Sequence, residues 1–402
     1  MSRGRGFWLL AAVLGFLLAA ASAPSPLYAI YAAQWGFSST TLTAIFAVYA
    51  LALLVALLTT GELSDHLGRR PVLAVGLVVQ AAGMVAFGVA EGVAALYVAR
   101  VLQGVGTGIA TGAISAWLLD LEPRERPGLG SVVGGIAPMA GLAAGAFASG
   151  VLVQYGPDPL RLVYWLLTAA FLLALAALPR VPDHTSRSPG WLATLRPQIG
   201  VPRPARALFA ASAPSLVATW ALGGLYLSLG PSLAIGLLAD DSRIAGGLVI
   251  AALAGSGALA SAVARSRPPR AIVTGGSLVL IVGVAITLLA VALGSAAGLY
   301  AGSVVAGLGF GPAFSGVFRS LAPLAPPEAR GALLASIYAV SYLAFSLPAV
   351  AAGVAAAHWD LRSTTYVYGA TVAALAAATT VAVARQNRGP GKYSTAHEQA
   401  AR

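Results

Sequence analysis

AALYVARVLQGVGTGIATGAISAWLLDLEPRERPG, residues Ala94 to Gly128, lies without a gap over AGLYAGSVVAGLGFGPAFSGVFRSLAPLAPPEARG, residues Ala297 to Gly331, when the chain is slid along itself by 203 residues. Thirteen of the 35 positions are identical, among them Gly104 with Gly307, Gly106 with Gly309, Gly108 with Gly311, and Pro123, Glu125 and Gly128 with Pro326, Glu328 and Gly331. A bias towards Ala, Leu and Val scatters matches. It does not set three glycines and a Pro-x-Glu-x-x-Gly loop in one register. The chain therefore reads as a duplication, and each copy is an apolar run followed by a short charged loop.

The solvent of those runs follows from composition. With 58% hydrophobic and 9% charged residues in 402, there is too little polar surface to cover a water-soluble globule of this length. Twelve apolar stretches of roughly 18 to 27 residues each match the length of helix that crosses a bilayer core. They start with Phe7 to Ile30 and end with Thr364 to Ala384, and the matched runs are the fourth and tenth. Backbone polar groups facing lipid must be satisfied internally, so runs this long are helices, not the short alternating strands of a barrel. The expected fold is an all-α membrane protein with twelve transmembrane helices in two pseudo-symmetric six-helix halves, residues 1–179 and 207–385. Between them lies a linker, 180–206, and after them a tail, 386–402. The segment Pro179 to Arg206 holds six Pro and five Arg against one Asp and reads as extended. The start, with Arg3, Arg5, an apolar run and Ala21-Ser22-Ala23-Pro24, imitates a secretory signal. Pro24 after the cleavage position and the apolar residues from Leu27 to Ile30 oppose cleavage.

Charge excludes several functions. A net +11 suggests nucleic acid in a soluble chain, but here the arginines lie in connectors that orient helices, so no nucleic-acid partner is expected. Twenty basic residues fall on the side of the two termini and three (Arg161, Arg243 and Arg362) on the other, which predicts cytoplasmic termini in an inner membrane. There is no Cys; His66, His184, His358 and His397 are far apart; and the only Lys is Lys392. Thiol chemistry, a metal site, a Schiff-base cofactor and a fused ATPase are all unsupported, and no cofactor is expected. No carboxylate cluster or nucleophile stands at membrane depth, so the chain is not read as an enzyme.

The charges that remain collect in GELSDHLGRR, Gly61 to Arg70, between the second and third spans. Gly61, Leu63, Asp65, Gly68, Arg69, Arg70 and Pro71 form a Gly-x-Leu-x-Asp-x-x-Gly-Arg-Arg-Pro pattern that resembles the loop signature of the major facilitator superfamily. The duplication and the span count extend the resemblance over the whole chain. It implies alternating access about a substrate site between the halves, with this loop latching them in the outward-facing state. Physically, Gly61 admits a neighbouring helix and Gly68 a tight turn, while Arg69 and Arg70 have Asp120 and Glu122 as carboxylate partners. The alternative is that these arginines only mark topology. The loop's counterpart, Ala264 to Ala271, keeps Arg but lacks Gly and Asp.

Arg100, about two turns inside the fourth span and three residues before Gln103, is similar to the superfamily's fourth-helix motif. A charge at that depth needs a polar partner or a wet cavity, and the resemblance implies proton coupling or substrate binding; the alternative is snorkelling to the headgroups. Glu62 is a second candidate proton carrier. In the fifth span Pro138 and Gly141 partly resemble the antiporter motif, as a helix bend or, with Gly134 and Gly145, as a packing seam. Tyr28, Tyr31, Gln103, Tyr226, Tyr338 and Tyr342 are candidates for an aromatic cavity. The resulting expectation is a monomeric secondary transporter in the lipid bilayer. It exports a small amphipathic organic compound by efflux, as an antiporter with protons as the candidate coupling ion. An importer of a sugar or organic acid is the rival, and a non-transporting membrane sensor or an intramembrane enzyme the alternative of another class.

Overall fold

The computed structural model describes residues 1–183, 189–237, 242–326 and 329–388; His184, Glu328, Lys392 and His397 lie outside them. Among the described residues twelve helices are long and apolar enough to cross a membrane, and there is no strand. In chain order they are α1 Arg3–Trp35, α2 Ser39–Thr60, α3 Arg69–Gly88, α4 Val93–Asp120, α5 Leu129–Tyr155 and α6 Leu162–Ala177. After the linker come α7 Arg206–Ser228, α8 Ile244–Ala264, α9 Pro269–Leu293, α10 Ala296–Leu321, α11 Arg330–His358 and α12 Leu361–Arg388. An even number of spans returns the chain to the face from which it started, called here the near face. The opposite one is the far face.

Local chemistry sets the ends. Ser38 and Ser295 accept backbone N–H bonds from Thr41 and Gly298 at the starts of α2 and α10, at 3.3 and 3.1 Å. Asp360 does the same for Ser363 at 2.7 Å before α12, and that bond holds its carboxyl below the usual carboxylate range. Gly68 turns the chain into α3 at φ +99°, a region that side chains disfavour.

The glycines of the duplicated segment explain how the helices meet. A Cβ on Gly104 would fall on the Tyr49 carbonyl, and one on Gly108 would stand 2.7 Å from the Leu53 carbonyl, both in α2. A Cβ on Gly106 would stand 2.7 Å from the Gln80 nitrogen of α3. In the second half Gly307 and Gly311 press on the Leu253 and Gly257 carbonyls of α8, and Gly309 on Leu280 of α9. The fourth helix of each half thus carries two glycine seams, one for the second helix and one for the third. Lipid supplies no hydrophobic drive between helices, so close backbone approach of this kind is what packs them.

Three features add to these expectations. The first span is not continuous: it is helical over Arg3–Ser22 and again over Ser25–Trp35, broken where Pro24 cannot donate to the Ala20 carbonyl. The linker, read as extended, is docked at both ends. Val181 is fully buried, the Trp117 indole donates to the Pro182 carbonyl at 2.9 Å, and the Gly200 N–H donates to Ser336 Oγ of α11 at 3.0 Å. The last helix continues through Arg388 into the segment expected to be tail.

Candidate functional site

The Gly61–Arg70 loop closes on itself within the first half. Arg69 pairs with Asp65 and, through Nε at 3.1 Å, with Asp120 at the end of α4, and its Nη1 donates to Ser64 Oγ at 2.8 Å. The Asp65 and Asp120 side chains are about half exposed (55% and 49%), so each pair contributes ~0–1 kcal/mol. Gly61 does admit a neighbour: a Cβ on Gly112 of α4 would stand 3.3 Å from its Cα. Arg70 turns to the linker, its N–H donating to Asp183 at 3.1 Å and its Nη2 to the Val181 carbonyl at 2.7 Å. Glu122, expected as an arginine partner, instead accepts from the Gly128 and Gly130 N–H groups at 2.5 and 2.9 Å, where its negative charge suits the start of α5. The loop carboxylate that reaches the second half is Glu62, 2.8 Å from where a Cβ on Gly331 of α11 would lie.

Arg100 is fully buried and does not snorkel. Its Nε donates to the Tyr28 hydroxyl, its Nη1 to the Ala21 carbonyl at 3.1 Å and to Gln103 Oε1 at 2.5 Å, and Gln103 Nε2 donates to the Ala20 carbonyl at 2.6 Å. The guanidinium also lies 5.2 to 5.6 Å from the ring centroids of Tyr28, Tyr49 and Phe87. Ser149 of α5 donates to the Ala23 carbonyl at 2.6 Å. The carbonyls of Ala20, Ala21 and Ala23 border the break in α1, where the helix itself offers too few donors. Leaving such a group unpaired in a membrane interior costs several kcal/mol, and these three side chains supply the missing bonds. Arg100 Nη2 alone has no partner.

The halves close on each other at the far face. Gly353 of α11 presses on Thr43 of α2, Gly247 of α8 on the Ala146 carbonyl of α5, and Gln154 Oε1 accepts the Arg243 N–H at 2.9 Å. Nearer the opposite face, Gly134 of α5 has nothing within 4 Å where a Cβ would stand, so it takes no part in the expected seam. Gly141 and Gly145 do form one, against the Gly15 and Ala19 carbonyls of α1. Pro138 sits inside an unbroken α5.

The candidate tyrosines separate into two groups. Tyr28 is held by Arg100, Tyr31 donates to the Leu160 carbonyl at 3.1 Å, and Tyr226 is bonded to Thr287 and Ser303 at 3.2 and 3.3 Å inside the second half. Tyr342, with the Tyr338 ring 6.4 Å away on the same helix α11, instead stands beside Trp220 of α7, whose ring centroid lies 4.9 Å from that of Tyr342, 5.4 Å from Phe314 and 5.5 Å from Phe345. Phe345 in turn meets Phe46 of α2 at 4.8 Å, which carries the cluster across the boundary between the halves. The buried Trp220 Nε1 has no hydrogen-bond partner, an omission that costs about 1–3 kcal/mol. Sequence reading missed Trp220, Phe314, Ser149 and the linker dock. Only Pro24 and Pro26, flanking Ser25, signalled the break that Ser149 serves.

A model of the Major Facilitator Superfamily matches residues 8–347. The chain is 35% identical over 108 residues to the tetracenomycin C resistance and export protein of Streptomyces glaucescens, covering 27% of this chain and 20% of that one. It is 34% identical over 122 residues to the puromycin resistance protein of Streptomyces alboniger, covering 30% and 24%. It therefore spans about a quarter or less of the length of these relatives. Its fold is similar to that of a bacterial homolog of the human lysosomal transporter Spinster, in an inward-facing and occupied conformation, with a TM-score of 0.73 at 12% identity over 94% of this chain and 96% of that one.

Proposed function

This chain belongs to the Major Facilitator Superfamily and is a membrane transporter of that type, and we propose that it exports a small amphipathic organic compound across the cytoplasmic membrane by alternating access. The observation that carries this reading is the aromatic cluster where α2, α7, α10 and α11 meet, apolar in its walls and lying between halves that seal at the far face. The resistance and export relatives support the outward direction. Tyr28, Ala21 and Gln103 occupy Arg100 Nε and Nη1, which leaves Nη2 alone for an organic acid and not the two-pronged pairing that a carboxylate prefers. The near face is taken as cytoplasmic from the excess of arginines there.

Everted membrane vesicles test the direction. On energisation they should accumulate a fluorescent amphipathic dye above the level of vesicles lacking the protein, since their outer surface is the cytoplasmic one. Accumulation in right-side-out vesicles instead would assign import.

A further inference from the structure

We propose that the Trp220 cluster is the substrate site, and that it takes a neutral, flat aromatic compound carrying a hydrogen-bond acceptor for the indole N–H. The inference rests on the transport reading above and specifies the substrate class for it.

Shape comes from the rings. Phe314, Tyr342 and Phe345 meet Trp220 edge to face, at interplanar angles of 76°, 60° and 79°. Such walls offer faces and edges suited to another flat π-system. The acceptor comes from the indole: Trp220 Nε1 is buried without a partner, and an indole nitrogen can only donate. A ligand carbonyl or ether oxygen removes that penalty, whereas a hydrocarbon leaves it standing. Tyr338 and Tyr342 add hydroxyls that make no hydrogen bond among the described residues.

Charge neutrality follows from what lines the spans. None of the thirteen Asp and Glu residues stands in the middle of a span, so a desolvated cation would find no counter-charge. An anion fares no better. Arg100 is the one basic residue deep in a span and is fully buried; its Nη2 is unpaired, but its hydrogen bonds go to Tyr28, Ala21 and Gln103 and its ring contacts to Tyr28, Tyr49 and Phe87, all in the first half and none of them in the Trp220 cluster. Aromatic faces alone attract cations, but more weakly than a paired carboxylate, and transfer from water has still to be offset. The observations thus select a neutral ligand.

Equilibrium dialysis of the purified full-length protein in detergent tests this with three probes: 1,8-dihydroxyanthraquinone (neutral, flat, with acceptors), 9-methylanthracene (flat, without acceptors) and ethidium (flat, cationic). The anthraquinone should bind at least about tenfold more tightly than either of the others. Trp220→Phe keeps a ring but removes the donor, and should weaken anthraquinone binding about tenfold while leaving 9-methylanthracene unchanged. Trp8→Phe, at an exposed ring, should change nothing. If Trp220→Phe does not fold, Tyr342→Leu takes its place and should weaken anthraquinone binding. Preference for ethidium, or anthraquinone binding indifferent to both substitutions, would overturn the proposal. Vesicles that still export a dye under that outcome would leave the export reading standing. Trp220-dependent binding without accumulation in everted vesicles would instead keep the site and remove the direction.

Discussion

At the scale of single residues, the side chains that look functional in sequence also hold the fold. Arg100 and Gln103 sit three apart on α4, so they share one face, and both are directed at the carbonyls freed by the break in α1. The residue types were legible because a charge inside an apolar span demands an explanation. Their partners were not, since Ala20, Ala21 and Ala23 offer only backbone atoms, which no side-chain pattern encodes. Ser149 makes the cleanest test because its hydrogen bond goes to the Ala23 backbone and to neither Arg100 nor the aromatic cluster. Ser149→Ala removes the one donor to the Ala23 carbonyl and should cost about 1–2 kcal/mol, lowering the melting temperature of the detergent-purified protein by about 1–2 °C. An unchanged melting curve would mean that the carbonyl finds another donor.

At the scale of helices, the duplicated glycines were the most legible feature, and their spacing explains why. Gly104 and Gly108, like Gly307 and Gly311, are four residues apart and so lie on one side of a helix, while Gly106 and Gly309 lie on the other. The alignment showed that the positions recur; only the structure showed that one side serves the second helix of each half and the other the third. Helix identities and their order were likewise readable, because length and apolarity alone define a span. The break in α1 and the docked linker were not, because each depends on partners far along the chain. Substitution discriminates seam from surface. Gly307→Val places two methyl groups against the Leu253 carbonyl and should reduce the monodisperse fraction in size-exclusion chromatography several-fold, an overpacking cost of about 1–3 kcal/mol or more. Gly134→Ala, with open space at its Cβ, should leave the profile unchanged.

At the scale of the whole molecule, the arginines predict an orientation, and the aromatic cluster is set by four helices whose contributing residues, Phe46, Trp220, Phe314 and Tyr342, come from distant parts of the chain. Aromatic residues occur in every span except α8 and α9, so nothing in sequence told Tyr342, at the boundary, from Tyr226, sequestered among Thr287 and Ser303. The Cys-free chain makes orientation directly measurable. Single cysteines at Ser38, exposed before α2 at the far face, and at Ser266, exposed after α8 at the near face, should react with a membrane-impermeant maleimide from opposite sides. Ser38→Cys should label in intact cells and Ser266→Cys only after lysis. The reverse pattern would invert the protein in its membrane. The break in α1 also bears on how the chain is made. Ribosomes deliver α1 first, yet the donors for Ala21, Ala20 and Ala23 lie 79, 83 and 126 residues downstream. Until those segments emerge, the interrupted helix enters the bilayer with bare carbonyls, an unfavourable passenger for lipid. The pairing of these carbonyls is therefore complete only once α4 and then α5 have been made and packed beside α1.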